Sequence, residues 1–194
     1  MPLPGVTPYP PEFAARYRAR GYWDDRPLIA HFLSAFTDHA SRAAVVDDEG
    51  SYTYGELAAA SERVALNLLD LGLEPSDRVV VQLPNTRLFA SFYFALQRIG
   101  VIPIMALPSH RYRELRQFVS LSGAVAAAAP ARARDVNFDE LHRRVRADHP
   151  HLRLSILQGG HPEPAEGYIS LEELHERQPG RHTAADLERI ASKI

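Results

Sequence analysis

Ser109-His110-Arg111 is the stretch whose residue types could hold a ligand. A hydroxyl, an imidazole and a guanidinium in consecutive positions supply donors suited to a carboxylate or a phosphate. Competing chemistries lack their residues. The sequence has no Gly-x-Ser-x-Gly elbow, no Walker loop, no Gly-x-Gly-x-x-Gly and no HExxH pair. The nine histidines do not fall at metal-ligand spacings, and His149 and His151 flank a proline in a polar stretch. Gly159-Gly160 has no helix directly behind it to cradle a phosphate. The alternative reading of the triplet makes Ser109 a helix N-cap and leaves His110 and Arg111 as surface residues.

Position gives the triplet its interest. The apolar run Val101 to Leu107 precedes it and a helical stretch, Arg111 to Ser122, follows. The same alternation holds on either side: an apolar run (Val79 to Leu83), a helix (Thr86 to Ile99), then Ala124 to Ala129 as a third run. Strand, helix, strand, helix, strand predicts a parallel sheet, because parallel strands need long crossovers. Residues 78–128 are thus the organising unit. The triplet lies at the carboxyl end of one strand and the amino end of a helix, where open α/β sheets place ligands and helices attract anions.

The flanks add to that unit. Residues 1–11 carry five prolines and read as an extended arm. Glu12 to Arg20 reads as a short helix, and the aromatics of Gly21-Tyr-Trp23 as packing anchors. Leu28 to Thr37 reads as a helix with Leu28, Phe32, Leu33 and Phe36 inward. Ala43 to Val46 and Ser51 to Tyr54 read as a hairpin. Thr53-Tyr-Gly-Glu56 matches a capping box. It opens an amphipathic helix with Leu57, Ala60, Val64, Leu68 and Leu71 on one side and Glu56, Arg63, Asn67 and Asp70 on the polar side, closed by Gly72. Further on come a helix from Asn137, with Arg143-Arg-Val-Arg146 as a solvated face, a fourth parallel strand over Leu152 to Leu157, and a Gly/Pro-rich loop over Gln158 to Gly167. Short helices open at Ser170 and Thr183, the last with Leu187, Ile190 and Ile194 on one side.

Composition narrows the classes. The chain has 194 residues, 45% hydrophobic and 24% charged, enough for one packed domain with small appendages. With 22 basic against 24 acidic residues, charge gives no reason to propose nucleic acid or an anionic membrane as partner. The absence of cysteine excludes disulfides, thiolate metal sites and a cysteine nucleophile. No secretory signal and no apolar stretch of about 20 residues is present, so a cytoplasmic location is expected.

Several stretches together resemble the adenylate-forming ligases, the superfamily of acyl-CoA synthetases, firefly luciferase and peptide-synthetase adenylation domains. Thr53-Tyr-Gly-Glu-Leu57 is similar to the family's first core motif. Arg78-Val-Val-Val-Gln-Leu-Pro-Asn85 and Leu96-Gln-Arg-Ile-Gly-Val-Ile-Pro103 are similar to the elements after it. Gly5-Val-Thr-Pro-Tyr-Pro10, Tyr17-Arg18, Gly21-Tyr-Trp23 and Ala106-Leu-Pro-Ser-His-Arg111 resemble the stand-alone aryl-acid AMP ligases, which activate 2,3-dihydroxybenzoate or salicylate in siderophore biosynthesis.

The resemblance covers residues 1 to about 180. It implies an α/β fold with a parallel sheet flanked by helices, incomplete relative to the family. The expected division is an arm and short helix over 1–27, an α/β subdomain over 28–180 and a divergent helical tail over 181–194. It also implies ATP and Mg as cofactors of the complete enzyme, and an aryl acid and a carrier-protein phosphopantetheine as its substrates. Ser109, His110 and Arg111 become substrate- or pantetheine-adjacent candidates rather than catalytic ones. The family's phosphate loop and catalytic Lys are not among these residues. The truncated chain is therefore expected to be inactive alone and to bind neither cofactor tightly.

Two other readings remain. One is a non-catalytic module that pairs with a separate C-terminal half or a carrier, or self-associates, through apolar surface left by helix 86–99 and the final stripe. The other is a small-anion binding domain built on the triplet.

Overall fold

The computed structural model describes residues 7–133, 135–159 and 167–193. Ile194, Gly160, the start of the proline arm and most of the Gly/Pro-rich loop lie outside them. Two helices come first, α1 (Pro11–Ala19) and α2 (Leu28–Asp38). The strands β1 (Ala43–Asp47) and β2 (Gly50–Thr53) pair as the antiparallel hairpin expected from the Asp47–Gly50 turn. Thr53 then caps α3 (Tyr54–Asp70). Its hydroxyl accepts from the Glu56 amide, and the Glu56 carboxylate accepts from the Thr53 amide at 2.8 Å. Such a reciprocal cap stabilises a helix start by about 1 kcal/mol. Gly72 at φ 81° closes α3, a conformation that glycine adopts without steric cost.

The central unit follows the sequence pattern: β3 (Arg78–Val81), α4 (Arg87–Arg98), β4 (Ile102–Met105), α5 (Tyr112–Ser122) and β5 (Ala126–Pro130). After a two-residue hairpin, β6 (Arg132–Ala133) and β7 (Val136–Asn137), come α6 (Phe138–Asp148), β8 (Leu154–Gln158), β9 (Tyr168–Ser170), α7 (Leu171–Glu176) and α8 (Ala184–Ala191). The main sheet has the order β4-β3-β5-β8-β9 and every pairing in it is parallel. Neither the hairpin β6–β7 nor the fifth strand β9 is signalled in the sequence. Each is too short to show a period.

Alternate residues of each strand feed two cores. Val79, Val81, Ala126, Ala128, Leu154 and Ile156 face α3, α4, α7 and α8, whereas Val80 and Ala127 face α5 and α6. Strands covered on both faces carry unbroken apolar runs for this reason. β4 forms one edge of the sheet. The amides of Ile102 and Ala106 bond back toward β3, so alternation turns Pro103 outward, where its missing N–H blunts the edge.

Three expectations about side chains differ from the structure. Leu28 is exposed. Ile29 and Phe36 are buried instead, and the Phe32 and Phe36 rings pack on Phe94 of α4. The aromatics near Trp23, read as packing anchors, do pack on one another and on the arm (Tyr9, Tyr17 and Trp23 within 5.0–6.0 Å), at the surface. The polar side of α3 faces solvent at Glu56 and Arg63 but not at its C-terminal end. Asn67 is 1% exposed and donates to the carbonyls of Leu174 and Arg177, and Arg63 donates to that of His175. The Asp70 carboxylate accepts from the amides of Gly180 and Arg181 and from the His182 ring. Arg146, finally, turns inward to the carbonyls of Leu152 and Gly167 and lies over the Tyr168 ring.

The surfaces expected to stay bare are covered. No residue of α4 is exposed, Leu187 is buried in the larger core and Ile190 packs against it. α7 is tied down by the Ser91 hydroxyl, 2.6 Å from Nε2 of His175, whose Nδ1 lies 2.7 Å from the Leu171 carbonyl.

Candidate functional site

The site is built at the carboxyl edge of the sheet, where β4 gives way to the turn Leu107–Arg111 and then to α5. The turn is closed on itself. The His110 amide donates to the Leu107 carbonyl, and the Leu107 amide donates to Nδ1 of His110 at 3.1 Å. Nδ1 is therefore the unprotonated nitrogen, and Nε2 carries the proton of the neutral ring. The His110 ring lies edge-on to Phe118 at 5.1 Å. Arg111 folds back to donate to the carbonyls of Pro108 and His110, with its guanidinium 5.9 Å from the Phe138 ring.

The structure brings Ser109, His110 and Arg111 into one exposed turn but changes one role. The N-cap of α5 is Arg111, not Ser109, and the Glu114 carboxylate accepts from the Arg111 amide at 2.9 Å. That amide, together with Glu114's own, holds the Glu114 carboxyl below the usual range. A carboxylate of the chain already occupies the helix end, so the anion attraction expected there is largely met from within. What the turn offers a ligand is the Ser109 hydroxyl, the Nε2 side of His110 and part of the Arg111 guanidinium. Among the described residues no base is placed to activate Ser109, so the turn's chemistry is that of hydrogen-bond donors and not of a nucleophile.

Gln82 holds the turn, and sequence reasoning missed it. It follows β3, is 1% exposed, and donates from Nε2 to the carbonyls of Leu107 at 2.6 Å and His110 at 3.0 Å. Two carbonyls facing the same nitrogen fix the amide's orientation, because the flipped form would set oxygen against oxygen. The signal was an amide placed within the run Val79-Val-Val-Gln-Leu83, since a polar residue inside a buried run is the informative one.

Concave surface near the turn is shallow. A hollow of about 350 Å³ runs along the outer side of α5, lined by Tyr112, Arg113, Arg116, Gln117, Ser120 and Leu121. A larger one, about 620 Å³, lies at the opposite edge of the sheet between Gly72–Ser76 and the segment Arg181–Lys193. Among the described residues no group of three His, Cys, Asp or Glu is placed to hold a metal ion, and no helix is long and apolar enough to cross a membrane.

A parallel α/β sheet with the candidate turn at its carboxyl edge belongs to the open α/β class, in which ligands are placed at that edge. The comparisons make this specific: the AMP-binding enzyme family matches residues 32–191, and the chain belongs to that family. It is 40% identical over 162 residues to a salicyl-AMP ligase / salicyl-S-ArCP synthetase of Mycobacterium tuberculosis, covering 81% of this chain and 29% of that protein. It is 35% identical over 173 residues to a 2,3-dihydroxybenzoate-AMP ligase of Bacillus subtilis, covering 89% of this chain and 31% of that protein. Among solved structures, the apo structure of Mycobacterium smegmatis MbtA superposes with a TM-score of 0.81 at 37% identity, covering 93% of this chain and 33% of that one. The chain thus spans about a third of the length of the relatives it matches.

Proposed function

We propose that this chain is the N-terminal portion of an aryl-acid AMP ligase. The complete enzyme adenylates salicylate or 2,3-dihydroxybenzoate with ATP and passes the acyl group to a carrier-protein phosphopantetheine in siderophore biosynthesis. The reading is carried by the similarity to ligases whose names specify those two acids, over four fifths or more of this chain. The described residues do not fit Mg-ATP. They include no carboxylate set for the metal, and Glu114, the acid at the candidate turn, is already engaged by the Arg111 amide. No step of adenylation is therefore assigned to them.

ATP–pyrophosphate exchange tests the proposal. The 194-residue chain alone gives no exchange above background with either acid. Joined to the remaining two thirds of the M. tuberculosis relative, it supports exchange with aryl acids in preference to aliphatic ones. Exchange by the chain alone, or an aliphatic preference, overturns the reading. A separate C-terminal half as natural partner is the second reading, favoured by the one-third coverage. Recovery of exchange on mixing the two parts unlinked supports it.

Within the joined enzyme, Ser109, His110 and Arg111 are proposed to lie beside the acyl or pantetheine path. Arg111→Ala is then expected to raise KM for the carrier by about tenfold, the equivalent of one charge-assisted hydrogen bond, and to leave pyrophosphate exchange unchanged. An equal fall in both reactions would place the residue in folding or adenylation instead.

A further inference from the structure

Helix α6 carries a buried group that the candidate site does not use. His142 lies at its centre, 2% exposed, and neither ring nitrogen has a hydrogen-bond partner. The sheet face that α6 helps to cover is polar as well. Val80 pairs with Ala127, Ala127 with Ser155 and Ser155 with Tyr168, so the four side chains form one row on one face. The hydroxyls of Ser155 and Tyr168 are also buried without partners. Arg146, one turn beyond His142, lies 4.8 Å from the centre of the Tyr168 ring.

A neutral imidazole can stay in such a place. An imidazolium has no acceptor there and a guanidinium one turn away. Among the described residues, the surrounding elements bring no acid to it. β5 and β8 contain no ionisable side chain, β9 brings only Tyr168, and β6 brings Arg132, which is exposed. From α5, Tyr112 and Arg116 turn to Asp148, Glu114 engages the Arg111 amide, and Arg113 is exposed. On α6 itself Asp139, three residues back, makes no hydrogen bond to the ring, Glu140, Arg143 and Arg144 are exposed, and Asp148 is engaged as above.

We propose that α6 is an acid-released cover: protonation of His142 requires the helix to lift from the sheet, so mild acidification opens this layer ahead of the rest of the fold. Both ends of α6 touch the candidate turn and the helix behind it. Phe138 lies beneath Arg111, and Asp148 holds Tyr112 and Arg116. Opening α6 therefore also removes the contacts that Phe138 and Asp148 make with Arg111, Tyr112 and Arg116, while Gln82 still holds the turn.

Burial, with Arg146 adding to it, pushes the His142 ring down to about 4 from its ordinary 6.5. A ring that protonates readily only when the helix is open makes opening bind more protons, so acid favours it. Relative to neutral pH, the opening equilibrium rises about eightfold near pH 5.5 and about twentyfold near pH 5, and levels off below about pH 4.

Hydrogen exchange of the full chain, corrected for intrinsic rates at each pH, measures this. The peptide from 138–148 is expected to lose protection by those factors and that from 107–116 by less, since Gln82 still holds its turn, while peptides from 54–70 and 87–98 keep theirs. His142→Leu is expected to abolish the acid-dependent loss. Equal loss in all four segments, or an unchanged loss in the variant, overturns the proposal. Should the variant fail to fold, the wild-type His142 ring proton signal decides. It must change only together with loss of α6 protection, and titration near pH 6.5 with α6 still protected refutes the device.

Discussion

Gln82→Glu is expected to destabilise the fold by about 3 kcal/mol at neutral pH, more than removal of the side chain altogether. The amide nitrogen donates to two carbonyls within a site sealed from water. A carboxylate there faces two acceptors with nothing to donate, and the desolvation of a buried charge adds to the loss. Protonation restores one donor, so the introduced carboxyl has its pKa raised in the folded state. Its penalty is small below the ordinary glutamate value of about 4.3 and grows as pH rises through the folded pKa. Gln82→Ala, which leaves two carbonyls short of a donor, is expected to cost about 2 kcal/mol with no such pH dependence. Urea titrations of both variants near pH 4.5 and pH 7.5 separate the two. A glutamate variant as stable as the parent at neutral pH would show that the turn does not depend on this donor.

Asp70→Ala is expected to cost a similar amount, about 3 kcal/mol, through an anion buried by its own backbone contacts. The side chain is 5% exposed and receives the amides of Gly180 and Arg181 and the His182 ring at 2.6–3.1 Å. Burial pushes this carboxyl up, but the Gly180 amide, the His182 ring and the Arg181 amide together outweigh it and hold it at about 2. The contribution is present above the unfolded value of about 3.9 and is lost as pH falls toward 2. Urea unfolding near neutral pH should show the full loss. The gap between parent and variant should narrow in acid, and a gap that persists at the lowest accessible pH would contradict the assignment. Hydrogen exchange should locate the change in residues 177–193.

The fold was legible because its signals are long. Three apolar runs separated by two helical stretches specify a parallel sheet whatever their exact ends, and Thr53 with Glu56 marks a helix start through local chemistry alone. What could not be read depends on partners far away in the chain. Asn67 and Asp70 have the residue types of a solvent face. Only the arrival of residues 174–182 makes them buried, and no periodicity within α3 carries that information. Arg146 is the same case, since a long cationic side chain on a helix is ordinarily solvated. At the candidate site, residue type located the turn, but capping preference chose Ser109 over Arg111. The choice turned on Glu114, whose reach back to the Arg111 amide sets the start of α5. Gln82 stayed hidden because its role is defined by a turn 25 residues away.

The polar ladder of α3 also bears on the order in which the chain can fold. Arg63, Asn67 and Asp70 reach main chain 107 to 112 residues further on. Such contacts span more than half of the chain and so raise the contact order of the fold. During synthesis α3 emerges long before its partners and must wait with Asn67 and Asp70 still hydrated. A nascent chain that stops short of residue 174 has the sheet strands of the central unit but not the main-chain groups that let α3 be buried. The last stretch of the chain thus completes the cover over Asn67 and Asp70: these two side chains are sealed only when the residues near 180 have been made.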